Sequence, residues 1–144
     1  MFIIELKKML NKTNLKLIAS TRFKEAQILY KNKKYEGAVH LCVCALEMAL
    51  KKKIWDVWGA GFPETTHEFN MLQEIKTHNF HKLLELSQQE NVLKANTRLW
   101  ADWIIVQELD IEVRYSPIGR IEIKKATEII RATNSLLKFL KIKQ

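Results

Sequence analysis

Apolar residues recur along this chain at three- and four-residue intervals, the spacing of helices with one buried face. From about Asn14, Leu15, Ile18, Phe23, Ala26 and Leu29 predict a first helix, and a short helix over residues 2–10 is expected before it. Lys31-Asn32-Lys33-Lys34 reads as a turn. Gly37 weakens, without forbidding, a second helix that begins around Lys34. From Leu41 to Leu50 the chain reads LCVCALEMAL, apolar except for Glu47. A helix apolar nearly all round is covered on nearly all sides, so this one is expected at the centre of a bundle. On its surface His40, Cys44, Glu47 and Lys51 form a single stripe, at offsets of four, three and four residues.

The pattern then breaks. Residues 54–79 crowd Trp55, Trp58, Gly59, Gly61, Phe62 and Pro63 together, with a short helix expected over Glu68–Lys76. A loop of this length in a compact domain is either functional or a hydrophobic flap over the core. Past Asn79, a plausible N-cap, Leu83, Leu84 and Leu86 mark a third helix ending near Gln89. Leu99, Trp100, Trp103, Ile104, Val106 and Leu109 mark a fourth, and Ser116-Pro117-Ile118-Gly119 a turn. In the last helix Ile123, Ala126, Ile130, Thr133, Leu137 and Leu140 form the apolar stripe, with Lys124, Lys125, Glu128, Arg131 and Lys138 on other faces. The expected fold is all-α: an up-and-down bundle of four to five helices with short connections and one long one. No repeat or linker divides the chain, so residues 1–144 are expected to form one domain with an irregular insertion around 54–79.

Composition agrees with that pattern. Only 4 Gly and 2 Pro among 144 residues argue against a turn-dense β fold. Cys42 and Cys44 are two apart on a helix and face different ways, so they read as small packing residues in a reducing compartment. The first residues show no basic stretch before their apolar run, and no segment approaches the length of a membrane span. A cytoplasmic protein is expected. Net charge is +8 and uneven: residues 1–53 hold 12 Lys/Arg against 4 Glu, whereas residues 54–90 hold 2 against 6 acids. Such asymmetry suits a solvated surface or an acidic partner such as RNA.

Three pieces in order carry a family resemblance. The first runs through Ala26, Leu29 and Tyr30, a basic turn, Tyr35-Glu36-Gly37-Ala38-Val39, then Ala45-Leu46-Glu47 and Lys51. The second is His81-Lys82-Leu83-Leu84-Glu85-Leu86, and the third is Val113-Arg114-Tyr115-Ser116-Pro117 before the long last helix. Over about residues 20–142 the chain resembles HEPN (higher eukaryotes and prokaryotes nucleotide-binding) domains, although the insertion at 54–79 departs from their pattern. The resemblance implies a nucleotide- or RNA-associated module, with a separately encoded nucleotidyltransferase or antitoxin as partner and a place in toxin–antitoxin or phage-defence systems. It also implies pairing of two copies. A homodimer through the last helix is expected, because the stripe from Ile123 to Leu140 is longer than one small bundle needs.

Ribonucleases that the family contains have an Arg followed, after four to six residues, by a His. Beyond Arg22, Arg98, Arg114, Arg120 and Arg131 no His stands in that window. Without an imidazole to move a proton near neutral pH, that mechanism has no evident acid or base. A non-catalytic binding module is therefore the leading reading; a toxin with displaced catalytic residues and a purely structural subunit are the alternatives. His67, His78, His81 and Glu85 suggest a metal face, but an N-cap at Asn79 would leave His78 outside the helix and dissolve it. His81 then reads as a first-turn packing residue. No phosphate loop, dinucleotide turn or nucleophile elbow is present. No cofactor, metal or catalytic residue is assigned.

Glu47 is the polar residue hardest to dismiss. A carboxylate on so apolar a helix must be paired, because a lone buried charge is very costly. Arg114 is its candidate partner in an ion pair that specifies the fold. In the functional reading, Arg114 instead holds a phosphate, with His40 and Lys51 nearby. The candidate ligand-binding set is Arg114, Tyr115, Glu47, His40, Lys51 and His81.

Overall fold

The computed structural model describes residues 11–58, 77–115 and 118–143; for residues 110–115 it describes the backbone. Six helices are present among the described residues: α1 (Lys12–Lys31), α2 (Tyr35–Trp58), α3 (Phe80–Ser87), α4 (Glu90–Lys94), α5 (Thr97–Tyr115) and α6 (Ile123–Phe139). The architecture is all-α, as the periodicity predicts, with one helix more than the expected maximum. The addition is α4, whose five residues bury only Leu93 and so leave almost no periodic signal.

Each boundary has a local cause. Asn11 caps α1, its side chain accepting from the Asn14 amide at 2.8 Å, so the helix starts two residues before the expected Asn14. At the other end of α1 the Lys33 amide bonds the Tyr30 carbonyl and the Lys34 amide that of Leu29. Lys33 takes a left-handed conformation (φ 60°) to allow this closure. Asn79 caps α3 by accepting from the Lys82 amide at 3.1 Å, and Asn96 similarly receives the Leu99 amide ahead of α5. Gly37 has a packing reason: a Cβ there would stand 3.0 Å from Leu29 Cδ1, where α2 begins against α1.

Helix α2 is central and packs on α1, α3, α5 and α6. Val39, Cys42, Leu46, Leu50 and Ile54 are buried in the core beside Phe23, Leu84, Trp103, Ile129 and Leu136. This helix continues to Trp58, which corrects the expected break at residue 54. Ile54 is buried, Trp55 and Trp58 pack edge to face, and Asp56 is held by Lys52 at 2.8 Å and by Lys12 of α1. Those contacts stabilise about one more turn where the glycines and the proline ahead suggested a loop. The remainder of the insertion, its expected helix at Glu68–Lys76 and the short helix over residues 2–10 lie outside the described residues.

Helix α6 closes the bundle against α2 and α5. Its stripe is largely used up by the chain's own core: Ala126, Thr133, Leu137 and Leu140 are buried, while Ile123 is exposed. Two side-chain contacts tie the start of α6 to the other helices. Tyr30 of α1 donates its hydroxyl to Thr127 at 2.6 Å, since the Thr127 hydroxyl already donates to the Ile123 carbonyl. Glu36, in the first turn of α2, accepts from the Gly119 and Ile121 amides.

Candidate binding site

The stripe His40–Cys44–Glu47–Lys51 lies along α2, and the structure divides it into two parts. At the outer end His40 is exposed, with Nε2 at 3.7 Å from Cys44 Sγ. Two turns further on, Glu47 is buried, as its apolar surroundings require. Its Oε2 stands 3.6 Å from Lys51 Nζ, and Lys51 itself is only 3% exposed. Its Oε1 is 2.7 Å from Nδ1 of His78. A carboxylate oxygen accepts, so Nδ1 of His78 carries the proton and Nε2 is the ring's second polar position.

Sequence reasoning missed this role for His78. The residue stands one place before the Asn79 cap, outside α3, where a shared helical face with His81 is lost. The Thr77 hydroxyl accepts from the Asn79 amide at 3.1 Å, shaping the segment that returns to α2. The imidazole is thereby free to turn back toward Glu47 while its side chain stays 62% exposed. A His placed just before an N-cap was the available signal; helical spacing alone could not show it.

The other candidates separate. His81 is exposed on the first turn of α3, which corrects its reading as a packing residue; Phe80, its neighbour, is the residue buried there, against Trp103. The side chains of Arg114 and Tyr115 lie outside the described residues, and so does the expected Glu47–Arg114 pair. Among the described residues Glu47 takes its side-chain partners from α2 and the segment before α3. No group of three His, Cys, Asp or Glu side chains able to hold a metal is found among the described residues.

The two cysteines differ sharply in environment. Burial pushes the Cys42 thiol up to about 12, an effect that the nearby Thr133 side chain opposes in part. Cys44 is partly exposed beside His40. Chemically, the site offers an oriented imidazole on a buried carboxylate, and a lysine too enclosed to meet a ligand in solution.

Comparison with known families decides what kind of domain holds this geometry. The pattern that defines the HEPN domain matches residues 13–143. The chain belongs to the HEPN family. The match takes in all six helices, from the second residue of α1 to the segment after α6. Neither a curated protein nor a solved structure matches the chain. Family membership makes this HEPN domain a nucleotide- or RNA-associated module in general. No described helix is long and apolar enough to cross a membrane.

Proposed function

We propose that this HEPN domain binds RNA or a nucleotide without cleaving RNA itself. The observation that carries the reading is that no arginine of the chain is followed by a histidine at the family's ribonuclease spacing. Among the described histidines, His78 is engaged by Glu47 and His40 lies beside Cys44. Binding draws on a surface rich in cations. Lys16, Lys24, Lys31, Lys33 and Lys34 are all exposed on α1 and the turn after it, where Glu25 is taken up by Arg22 at 2.6 Å. Such a surface attracts phosphates and loses affinity as salt rises. The domain works with a separately encoded partner, a nucleotidyltransferase or an antitoxin, in a toxin–antitoxin or phage-defence setting. Two copies pair near the turn before α6, where Ile118 is 96% exposed and Ile123 is also exposed.

The test is incubation of the purified protein with labelled single-stranded RNA. The RNA is expected to be bound and to stay intact. Cleavage by the wild type that is lost in Arg114→Ala would overturn the reading in favour of a toxin with displaced catalytic residues. If Arg114 holds a phosphate, the same variant keeps its melting temperature and binds RNA more weakly.

A further inference from the structure

A second buried carboxylate lies away from the α2 site. Asp102, on α5, is 2% exposed, and its Oδ1 meets Nη2 of Arg131 on α6 at 3.0 Å. Its Oδ2 is equally enclosed and has no hydrogen-bond partner among the described residues. A guanidinium and a carboxylate that serve only each other usually form two parallel hydrogen bonds. Here one nitrogen is engaged, and the Arg131 side chain remains 47% exposed. The guanidinium is thus held at one corner, with further N–H donors left over for something else.

The neighbours of Arg131 are suited to an oxyanion. Arg98 stands four residues before Asp102, one turn away on the same face of α5, and is exposed with no ion pair among the described residues. On α6, Ser135 and Lys138 lie four and seven residues beyond Arg131, on the same face, and Lys138 is exposed. Helices α5 and α6 pack together, and in an antiparallel arrangement the Asp102–Arg131 pair would set Arg98 level with Ser135. The nearest acid along α6, Glu128, is 4.0 Å from Lys125. Three cations against one carboxylate leave this groove positive. It lies about 18 Å along α5 from Arg114, at a rise of 1.5 Å per residue.

We propose that Arg98, Arg131 and Lys138 form a phosphate-binding site in the α5–α6 groove, which takes the phosphodiester backbone of single-stranded RNA. Asp102 is the positioning residue that aims Arg131. This deepens the binding-module reading and rests on it. The groove supplies the geometry, whereas the lysines of α1 supply a diffuse field.

The probe is a fluorescein-labelled single-stranded RNA of twelve mixed nucleotides, with anisotropy followed at several salt concentrations. Arg98→Gln touches no packed contact and should bind about tenfold more weakly, the scale of one charge-assisted contact. Its salt slope should fall by roughly one unit or less. Arg131→Lys keeps the charge but loses the planar fork, and should weaken binding similarly. Asp102→Asn makes the groove more positive, so charge alone would tighten binding; positioning requires it to weaken. Lys24→Gln, within the diffuse field of the α1 lysines, should weaken binding by clearly less than Arg98→Gln, about two- to threefold. If the wild type binds and Arg98→Gln and Arg131→Lys bind equally well, the groove is refuted and the module reading stands. An equal loss in Lys24→Gln, or tighter binding by Asp102→Asn, also refutes it. A wild type that does not bind the RNA at all refutes both.

Discussion

Replacing Glu47 by Gln removes the negative charge that faces Lys51 and His78 while keeping the shape of the side chain. Lys51 would remain enclosed in α2 with its charge unmatched among the described residues, because it is 3% exposed and Glu47 is its ion-pair partner there. Breaking a buried ion pair by removing one partner costs about 3–5 kcal/mol. The 3.6 Å separation from Lys51 and the exposure of His78 place this case at the lower end, about 3 kcal/mol. For a 144-residue chain the unfolding entropy is about 0.3 kcal/mol per kelvin, which converts that loss to a fall of about 10 °C in melting temperature. Removing both charges together, as in Glu47→Leu with Lys51→Met, leaves no unmatched ion. That variant should recover to within about 1–2 kcal/mol of wild type. Calorimetry or circular dichroism melts of the three proteins supply the measurement. A Glu47→Gln melt within a degree of wild type, or a double variant no better than the single, would refute a structural role for this pair.

Asp56 provides a pH-dependent counterpart. Desolvation raises its pKa, but hydrogen bonds from Lys12 and Lys52 outweigh that and hold the carboxyl below its ordinary value. A depressed folded-state pKa stabilises above the unfolded value, near 3.9 and so about pH 4, and the benefit is lost as pH falls through the folded value. Asp56→Asn should therefore melt lower at pH 7 and differ less from wild type below about pH 4; an unchanged difference across that range would contradict the triad. In the native protein Cys44 should be alkylated by iodoacetamide well before Cys42, as peptide mass mapping can show, and early labelling of Cys42 would contradict its burial. Light scattering should give a particle of twice the 17.0 kDa chain mass, reduced to one chain by Ile123→Lys; a wild-type particle of one chain mass at tens of micromolar would count against pairing.

The helices were legible because their apolar spacing is a local property: Leu15 to Ala26, Leu83 and Leu84, and Ala126 to Leu140 all end up facing the core. The end of α2 was not legible. What holds Trp55–Trp58 in a helix is Asp56 reaching Lys12, a contact between residues far apart in sequence. Glu47 was legible as a buried charge in need of a partner, because its neighbours are apolar. His78 as one of its partners was not, since the pairing depends on how the chain re-enters the bundle after the insertion. Asp102 was passed over altogether: it sits between Trp100 and Trp103 on a helix whose polar and apolar residues mix, and only the position of Arg131 shows that it is covered.

The contact between Glu36 and the amides at residues 119–121 bears on the order in which the molecule assembles. Helices α1 and α2 are joined by a three-residue turn and tied at their far ends by Lys12 and Asp56, so they form from near neighbours with little loop entropy to overcome. Glu36 reaches across more than 80 residues to the chain just before α6. Its contact closes a long loop and is expected to form late, once α3 to α5 have packed. In unfolding the order reverses: the seam between α2 and the approach to α6 should exchange its amide hydrogens early, while the α1–α2 hairpin stays protected.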